Sequence, residues 1–201
     1  MSYTYSKLST WRRCPRLYYE QYIVHSLPVG ITPAAQYGVD VHKRIEECLK
    51  KKKPLPIEVR VPKRLINLLL KRDAEVEKEM AIDKEGKETE WYNAYVRGKI
   101  DAYVEYGSKR LLIDWKTGRT DYTDILQAKV YAALCGQDVK QVIFIYSYVT
   151  YDEHKLFTLN PRTCWEEIKK LAEQVDADKT WQPRHNQLCR FCPVECEEKK
   201  C

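Results

Sequence analysis

The sequence predicts an α/β domain, a small mixed sheet flanked by helices. Three observations carry that prediction. Apolar residues recur at helical spacing over 37–52 and 161–177. Two strand-like segments, Val96-Arg97-Gly98-Lys99-Ile100-Asp101 and Leu111-Leu112-Ile113-Asp114-Trp115-Lys116-Thr117-Gly118, read as one hairpin. A near-continuous apolar run from Val139 to Tyr151 is dense enough for a strand covered on both faces.

The elements follow in order. Residues 5–25 read as a helix opened by Ser6 or Ser9, and two short helices either side of Cys14-Pro15 satisfy the pattern equally. A polar loop leads to the helix of 37–52, where His42 stands three residues from both Val39 and Ile45 and so faces inward. Glu46 lies one turn on and can partner it. Pro54 and Pro56 end that helix. Residues 63–83 read as a further helix on Leu65, Leu68, Leu69, Val76 and Met80, closed by a polar turn at Asp83 to Thr89. After the hairpin, Thr120-Asp121 can cap a helix that stops at Gly136. Gln127 and Tyr131 share one face of it. Lys155 to Leu159 reads as a strand returning beside 139–151. The helix of 161–177 carries Trp165, Ile168, Leu171, Ala172 and Val175, and an irregular cysteine-rich tail follows.

At 201 residues the chain is long enough for one domain with a real core. We expect one domain over 1–201: an N-terminal helical segment (1–36), a core (37–160), and a C-terminal helix with the tail (161–201). No apolar run approaches the roughly 20 residues of a membrane span. The first residues lack the apolar stretch of a secretory signal, so a cytoplasmic location is expected. Eight cysteines in a reducing compartment point to metal rather than to disulfides. Net charge is +6, and the positive charge is clustered at Arg12, Arg13 and Arg16, Lys50 to Lys53, and Lys109 to Arg119. Fifteen tyrosines are interleaved with it, which suits a polyanion with unpaired bases. A solvated helix end accounts equally well for Lys50 to Lys53.

Chemistry concentrates in the hairpin. Strand alternation turns Asp114 and Lys116 the same way. In the first strand Val96, Gly98, Ile100, Ala102 and Val104 share one face. Arg97, Lys99, Asp101 and Glu105 share the other, so Asp101 can meet Asp114 across the pair. Two carboxylates and an ammonium at the end of a buried strand make a site for a hard divalent cation. In the tail, Cys189-Arg190-Phe191-Cys192 is a Cys-x-x-Cys followed by Cys196 and Cys201, a spacing that can aim thiolates at one metal centre. Zinc held by these four is one reading. Cys48, Cys135 and Cys164 stand in apolar patterns and read as core.

Gly98-Lys99-Ile100-Asp101 followed by Asp114-Trp115-Lys116-Thr117-Gly118 resembles two motifs of the PD-(D/E)XK nucleases, in the RecB-like branch. Tyr5-Ser6-Lys7-Leu8-Ser9 with Cys14-Pro15 and Tyr18 is similar to the branch's opening. Gly38-Val39-Asp40-Val41-His42 resembles its first motif, and Gln127 with Tyr131 its Gln-x-x-x-Tyr pair. The resemblance implies a restriction-endonuclease-like core. It implies Mg²⁺ or Mn²⁺ held by His42, Asp101, Asp114 and the Trp115 carbonyl, with Lys116 catalytic and Gln127 and Tyr131 as site residues. It also implies an iron–sulfur cluster, of the 4Fe–4S type, stapling the two chain ends. Cys14, Cys189 and Cys192 match its ligands, and Cys196 is preferred over Cys201 for the fourth. The implied activity is DNA cleavage, as an exonuclease on single strands or ends, in recombination, repair, phage DNA processing or CRISPR adaptation and with the proteins of those systems as partners. Arg12, Arg13, Arg16, Tyr18, Tyr19, Tyr22 and Arg119 would contact the DNA, with tyrosines stacking bases. No P-loop is present, so ATP is not expected as a partner. Two rival readings are a non-catalytic DNA-binding module and a zinc-stabilised interaction domain.

Overall fold

Alternating helices and strands give a mixed five-stranded sheet in the order β1-β2-β3-β4-β5. The strands are β1 (Glu75–Ile82), β2 (Val96–Tyr106), β3 (Lys109–Lys116), β4 (Gln141–Tyr148) and β5 (Glu153–Leu159). The helices are α1 (Tyr5–Arg13), α2 (Pro15–Tyr19), α3 (Pro33–Lys51), α4 (Lys63–Lys71), α5 (Ile125–Leu134) and α6 (Pro161–Ala177). This computed structural model describes residues 2–28, 30, 32–57, 59–119 and 123–196. Neighbouring strands are antiparallel except β3 and β4, which are parallel. That parallel step needs a crossover, and α5 supplies it. Among the described residues no helix is long and apolar enough to cross a membrane.

Each face of the sheet has its own core. On one face Ile100, Leu112 and Phe144 of the sheet pack with Val130 of α5 and Ile168 of α6. On the other Ala102, Ile113 and Trp115 pack with Ile45 of α3 and Leu69 of α4. A third, small cluster joins Cys14 and Leu17 to Val194, with Cys192 packed beside it, so the tail folds back onto α2.

Several expectations are corrected. The helix over 63–83 is in fact α4 followed by β1. Asp73 takes a left-handed φ of 50° at the break, and pairing with β2 overrides the helical preference of Glu, Lys and Met. Residues 5–25 form the two short helices of the alternative reading, broken at Cys14-Pro15, with a π-helical turn at Glu20–Val24. Thr4, not Ser6 or Ser9, caps α1 by accepting from the Lys7 N–H. Helix α3 begins earlier, at Pro33, capped by Thr32. Val39, expected inside, is 54% exposed. Asp124 caps α5, and Thr120-Asp121 lies outside the described residues. The simple alternation of β2 also fails. Val96 and Ile100 face α5, whereas Ala102 and Val104 face α3 and α4. The strand turns over at Asp101.

Candidate active site

The turnover at Asp101 builds the site. β2 pairs with β3 only from Ala102 to Tyr106, while β3 stays paired with β4 along its whole length. β3 therefore peels away from β2 where Asp101 and Asp114 stand opposite each other. Tyr3 pairs with Val96 on the edge of β2 away from β1, at the far end of the fork. Freed from the ladder, the Trp115 N–H donates to Asp101 Oδ2 at 2.7 Å. Across the other edge, Glu77 is the residue of β1 opposite Asp101 in register, yet it makes no ladder pair and holds φ at 56°. A non-glycine residue in the left-handed region is strained, and such strain collects at functional positions.

Two helices reach into the fork. From α3, His42 Nδ1 lies 3.3 Å from Asp101 Oδ1, and the ring also hydrogen-bonds the Trp115 backbone. Burial alone lowers the His42 pKa, but the hydrogen bond and charge of Asp101 outweigh it, and the net shift is upward. Gly38, one turn earlier on α3, lets the helix meet the end of β3: an added Cβ would lie 3.3 Å from Thr117 Oγ1. From α5, Gln127 Nε2 donates to Asp114 Oδ1 at 2.7 Å, and its Oε1 accepts from Lys116 Nζ at 2.9 Å. Lys116 Nζ lies 2.6 Å from Asp114 Oδ2 and 5.2 Å from the centre of the Tyr146 ring. Tyr131, one turn on from Gln127, donates to the Lys99 carbonyl at 2.7 Å. Gly98 permits this contact, since a Cβ there would come within 2.9 Å of the Tyr131 ring.

Asp114 is the buried acid of the group, 5% exposed. Burial first, then the Asp101 charge, hold its carboxyl well above the usual range, with Lys116 and His42 opposing. Its Oδ2 is close to the Lys116 ammonium but accepts no well-aligned hydrogen bond. We read the pair as an ion contact that leaves a lone pair unused. His42, Glu77 and Asp101 offer ligand atoms within 4.8 Å of one another, the one such group among the described residues. One imidazole and several carboxylate oxygens suit a hard divalent cation; Asp114, expected as a ligand, stands outside this group of three, with its oxygens against Gln127 and Lys116. Glu77 was missed in the sequence because β1 reads as helix. The alternation of Val76, Met80 and Ile82 with Glu75, Glu77 and Glu79 was the available signal. Glu46 does not partner His42; it pairs with Lys50 at 2.8 Å. The Trp115 side chain is buried under α3 and α4, so only its backbone faces the site.

The other predicted residues divide. Arg12 pairs with Asp124 at 2.8 Å, and Arg16 with Glu20 at 2.6 Å. Tyr18 is fully buried and stacks on Trp181, so its ring serves the core rather than a solvent-facing surface. Tyr19 packs beside the same Trp181, and Tyr22 beside Tyr18. Arg119 follows β3 at the exposed end of the fork. Arg13, Cys14, Cys189, Cys192 and Cys196 line a single cavity of about 190 Å³ between α2 and the tail. These four cysteines are free thiols, and the Asn186 N–H donates to Cys189 Sγ at 3.3 Å. The four thiols line one cavity, but among the described residues no three of their sulfurs lie within 4.8 Å of one another. Cys201 lies outside the described residues. Of the core cysteines, Cys48 and Cys164 are buried and Cys135 half-buried.

Comparison with known proteins adds three findings. The profile of a family described as the PD-(D/E)XK nuclease superfamily matches residues 60–196. No curated protein matches the sequence. Among solved structures, the crystal structure of SSO0001 superposes with a TM-score of 0.57 at 24% identity, over 98% of this chain and 86% of that one. At that identity the likeness speaks for the fold alone.

Proposed function

Since the chain belongs to the PD-(D/E)XK nuclease superfamily, we propose that it is a metal-dependent nuclease of the RecB-like branch, cutting DNA phosphodiesters as an exonuclease on single strands or ends. One observation carries the reading: His42, Asp101 and the Asp114–Lys116–Gln127 group converge where the sheet forks. His42, Asp101 and Asp114, with the Trp115 carbonyl, would hold Mg²⁺ or Mn²⁺, and Glu77 stands ready as a further ligand. Bound there, the cation supplies a water of lowered pKa and neutralises charge building on the phosphate.

The protein's own groups do the rest. Lys116 presents an ammonium at the fork, where it steadies the charge of the attacked phosphate. Asp114 and Gln127 fix its position from two sides. Gln127 and Tyr131 are positioning residues. The first orients Asp114, and the second pins β2 through the Lys99 carbonyl. Arg12, Arg13, Arg16, Tyr19, Tyr22 and Arg119 supply contacts to the substrate strand from the N-terminal helices and the end of the fork. Cys14, Cys189, Cys192 and Cys196 would hold a 4Fe–4S cluster that ties the chain ends together. The settings that fit are recombination, repair, phage DNA processing and CRISPR adaptation.

Digestion of end-labelled single- and double-stranded DNA tests the reading. The wild type should cut with Mn²⁺ or Mg²⁺ and stop in EDTA. Lys116→Ala and Asp101→Ala should each lose about 10²- to 10⁴-fold in rate while unfolding cooperatively like the parent. Variants that cut as fast as the wild type would refute the assignment.

A further inference from the structure

Beyond the metal group, the exposed row of β2 continues as a line of cations. Lys99 Nζ lies 3.0 Å from Glu77 Oε2, beside the metal group. Two residues back, the Arg97 guanidinium lies 4.7 Å from the centre of the Trp91 ring and donates to the Trp91 carbonyl at 3.0 Å. Lys7 of α1 is brought to the same end of β2, because Tyr3 docks there: the Arg97 N–H donates to the Tyr3 carbonyl at 2.9 Å. Lys7 Nζ donates to the Ser2 carbonyl at 2.8 Å and lies 5.9 Å from the centre of the Tyr22 ring.

Lys7 and Arg97 differ from the other cations near the site. Arg12, Lys99 and Lys116 each face a carboxylate. Among the described residues, Lys7 and Arg97 form no ion pair with an acid. They are held at neighbouring points of the N-terminal strand segment instead, Lys7 on the Ser2 carbonyl and Arg97 on the Tyr3 carbonyl, and burial first, then the Arg97 charge, lower the Lys7 pKa. Two half-buried like charges held on adjacent carbonyls of one segment are costly, and an anion bound by both lowers the cost. Each also lies over an aromatic ring.

We propose that Lys7 and Arg97 form a second station for the substrate, holding a backbone phosphate of a single strand while Trp91 and Tyr22 line the path of its bases. This rests on the nuclease reading for the identity of the strand. Four residues of extended chain place Arg97 about 13 Å from Asp101 along β2, a spacing of a few nucleotides from the cut. A single strand fits better than a duplex, because only unpaired bases can use ring faces.

The test is binding in EDTA, where nothing is cut. A labelled oligothymidylate long enough to span both stations is titrated by fluorescence anisotropy at several salt concentrations, alongside a duplex of equal length. Arg97→Gln keeps a donor for the Trp91 carbonyl, and Lys7→Gln removes the second charge. Each should weaken the single strand, and the double variant should flatten the log K against log salt slope by about 0.7 per lost phosphate contact. Arg97→Lys should restore the slope, which a merely misfolded variant would not do. Trp91→Leu should weaken single-strand binding about fivefold or more with little change in slope. An unchanged slope in the double variant overturns the station. Equal losses on duplex and single strand overturn its preference. A protein that binds with the expected slopes but cuts nothing with Mn²⁺ refutes the nuclease reading and leaves the station standing. Cleavage with unchanged slopes does the reverse.

Discussion

At Asp114 the chain buries a carboxyl that burial and the Asp101 charge both push upward, and Lys116 pulls it back only in part. A bound cation would complete that compensation. Glu77 belongs to the same logic. Its left-handed backbone and its place beside His42 and Asp101 cost the strand a ladder pair, and they put a third ligand atom in reach. Glu77→Gln should therefore weaken Mn²⁺ binding by about 10- to 100-fold, the range seen when metal-site partners are lost. Titration of free Mn²⁺ by electron paramagnetic resonance reads this directly. Unchanged affinity would reduce Glu77 to a partner for Lys99. That Asp101, Asp114 and Lys116 come together was legible from strand alternation, whereas Gln127 and Tyr131 share a helix face by period and were drawn to the site only by the family resemblance. Glu77 was not legible, because β1 reads as helix, and the alternation of Glu75, Glu77 and Glu79 with apolar residues, the available signal, does not record the break in the ladder at Glu77. Tyr18 was misjudged for a related reason: a tyrosine near arginines looks the same in sequence whether Trp181 covers it or not.

Among the elements, α1 and α5 are tied through one acid. Asp124 caps α5 through the Leu126 N–H at 3.0 Å and accepts from Arg12 at 2.8 Å, Tyr5 at 3.2 Å and Ser9 at 3.4 Å. Burial raises its pKa, but the Arg12 guanidinium and the Leu126 N–H outweigh that and hold it below the usual carboxylate range. A depressed folded-state pKa gives stability that is present above the unfolded value, about 3.9, and lost as pH falls through the folded one. Asp124→Asn keeps the cap and removes the charge. It should cost up to about 1 kcal/mol at neutral pH, since Arg12 is half exposed, and should flatten the acid limb of the stability curve. Denaturant melts across the acid range check both, and an acid limb identical to the parent's would contradict the assignment. Helix α6 was readable to its ends because its apolar stripe is long and its flanks carry Asn160 and Pro161. Strand β1 was not, because Glu, Lys and Met favour helix locally. Only the partner strand decides otherwise.

For the whole molecule, the N-terminal helices and the described part of the tail meet at the cysteine cavity. Val194 and Cys192 pack on Cys14 and Leu17, Trp11 donates to Asp178 at 2.9 Å, and Arg184 and Asn186 donate to the Arg12 and Arg13 carbonyls. A cluster here would close the fold as a disulfide does, without needing an oxidising compartment. Protein purified without oxygen should be brown and carry iron with acid-labile sulfide. Cys14→Ser should lower both and reduce the unfolding temperature by about 3 °C or more. Stoichiometric zinc in a colourless protein would contradict the cluster. That the tail returns to the N-terminal helices was expected from the family resemblance of the cysteines, whereas nothing in the sequence marked the fork between β2 and β3. Strand patterns show which residues alternate, not where two strands part.

The account rests on that fork closing around one hard cation, and anomalous diffraction from a crystal soaked in Mn²⁺ examines it most directly. The account predicts a single strong peak bounded by His42, Glu77 and Asp101, with Asp114 beside it. A peak elsewhere, or none in the fork at saturating Mn²⁺, would contradict it.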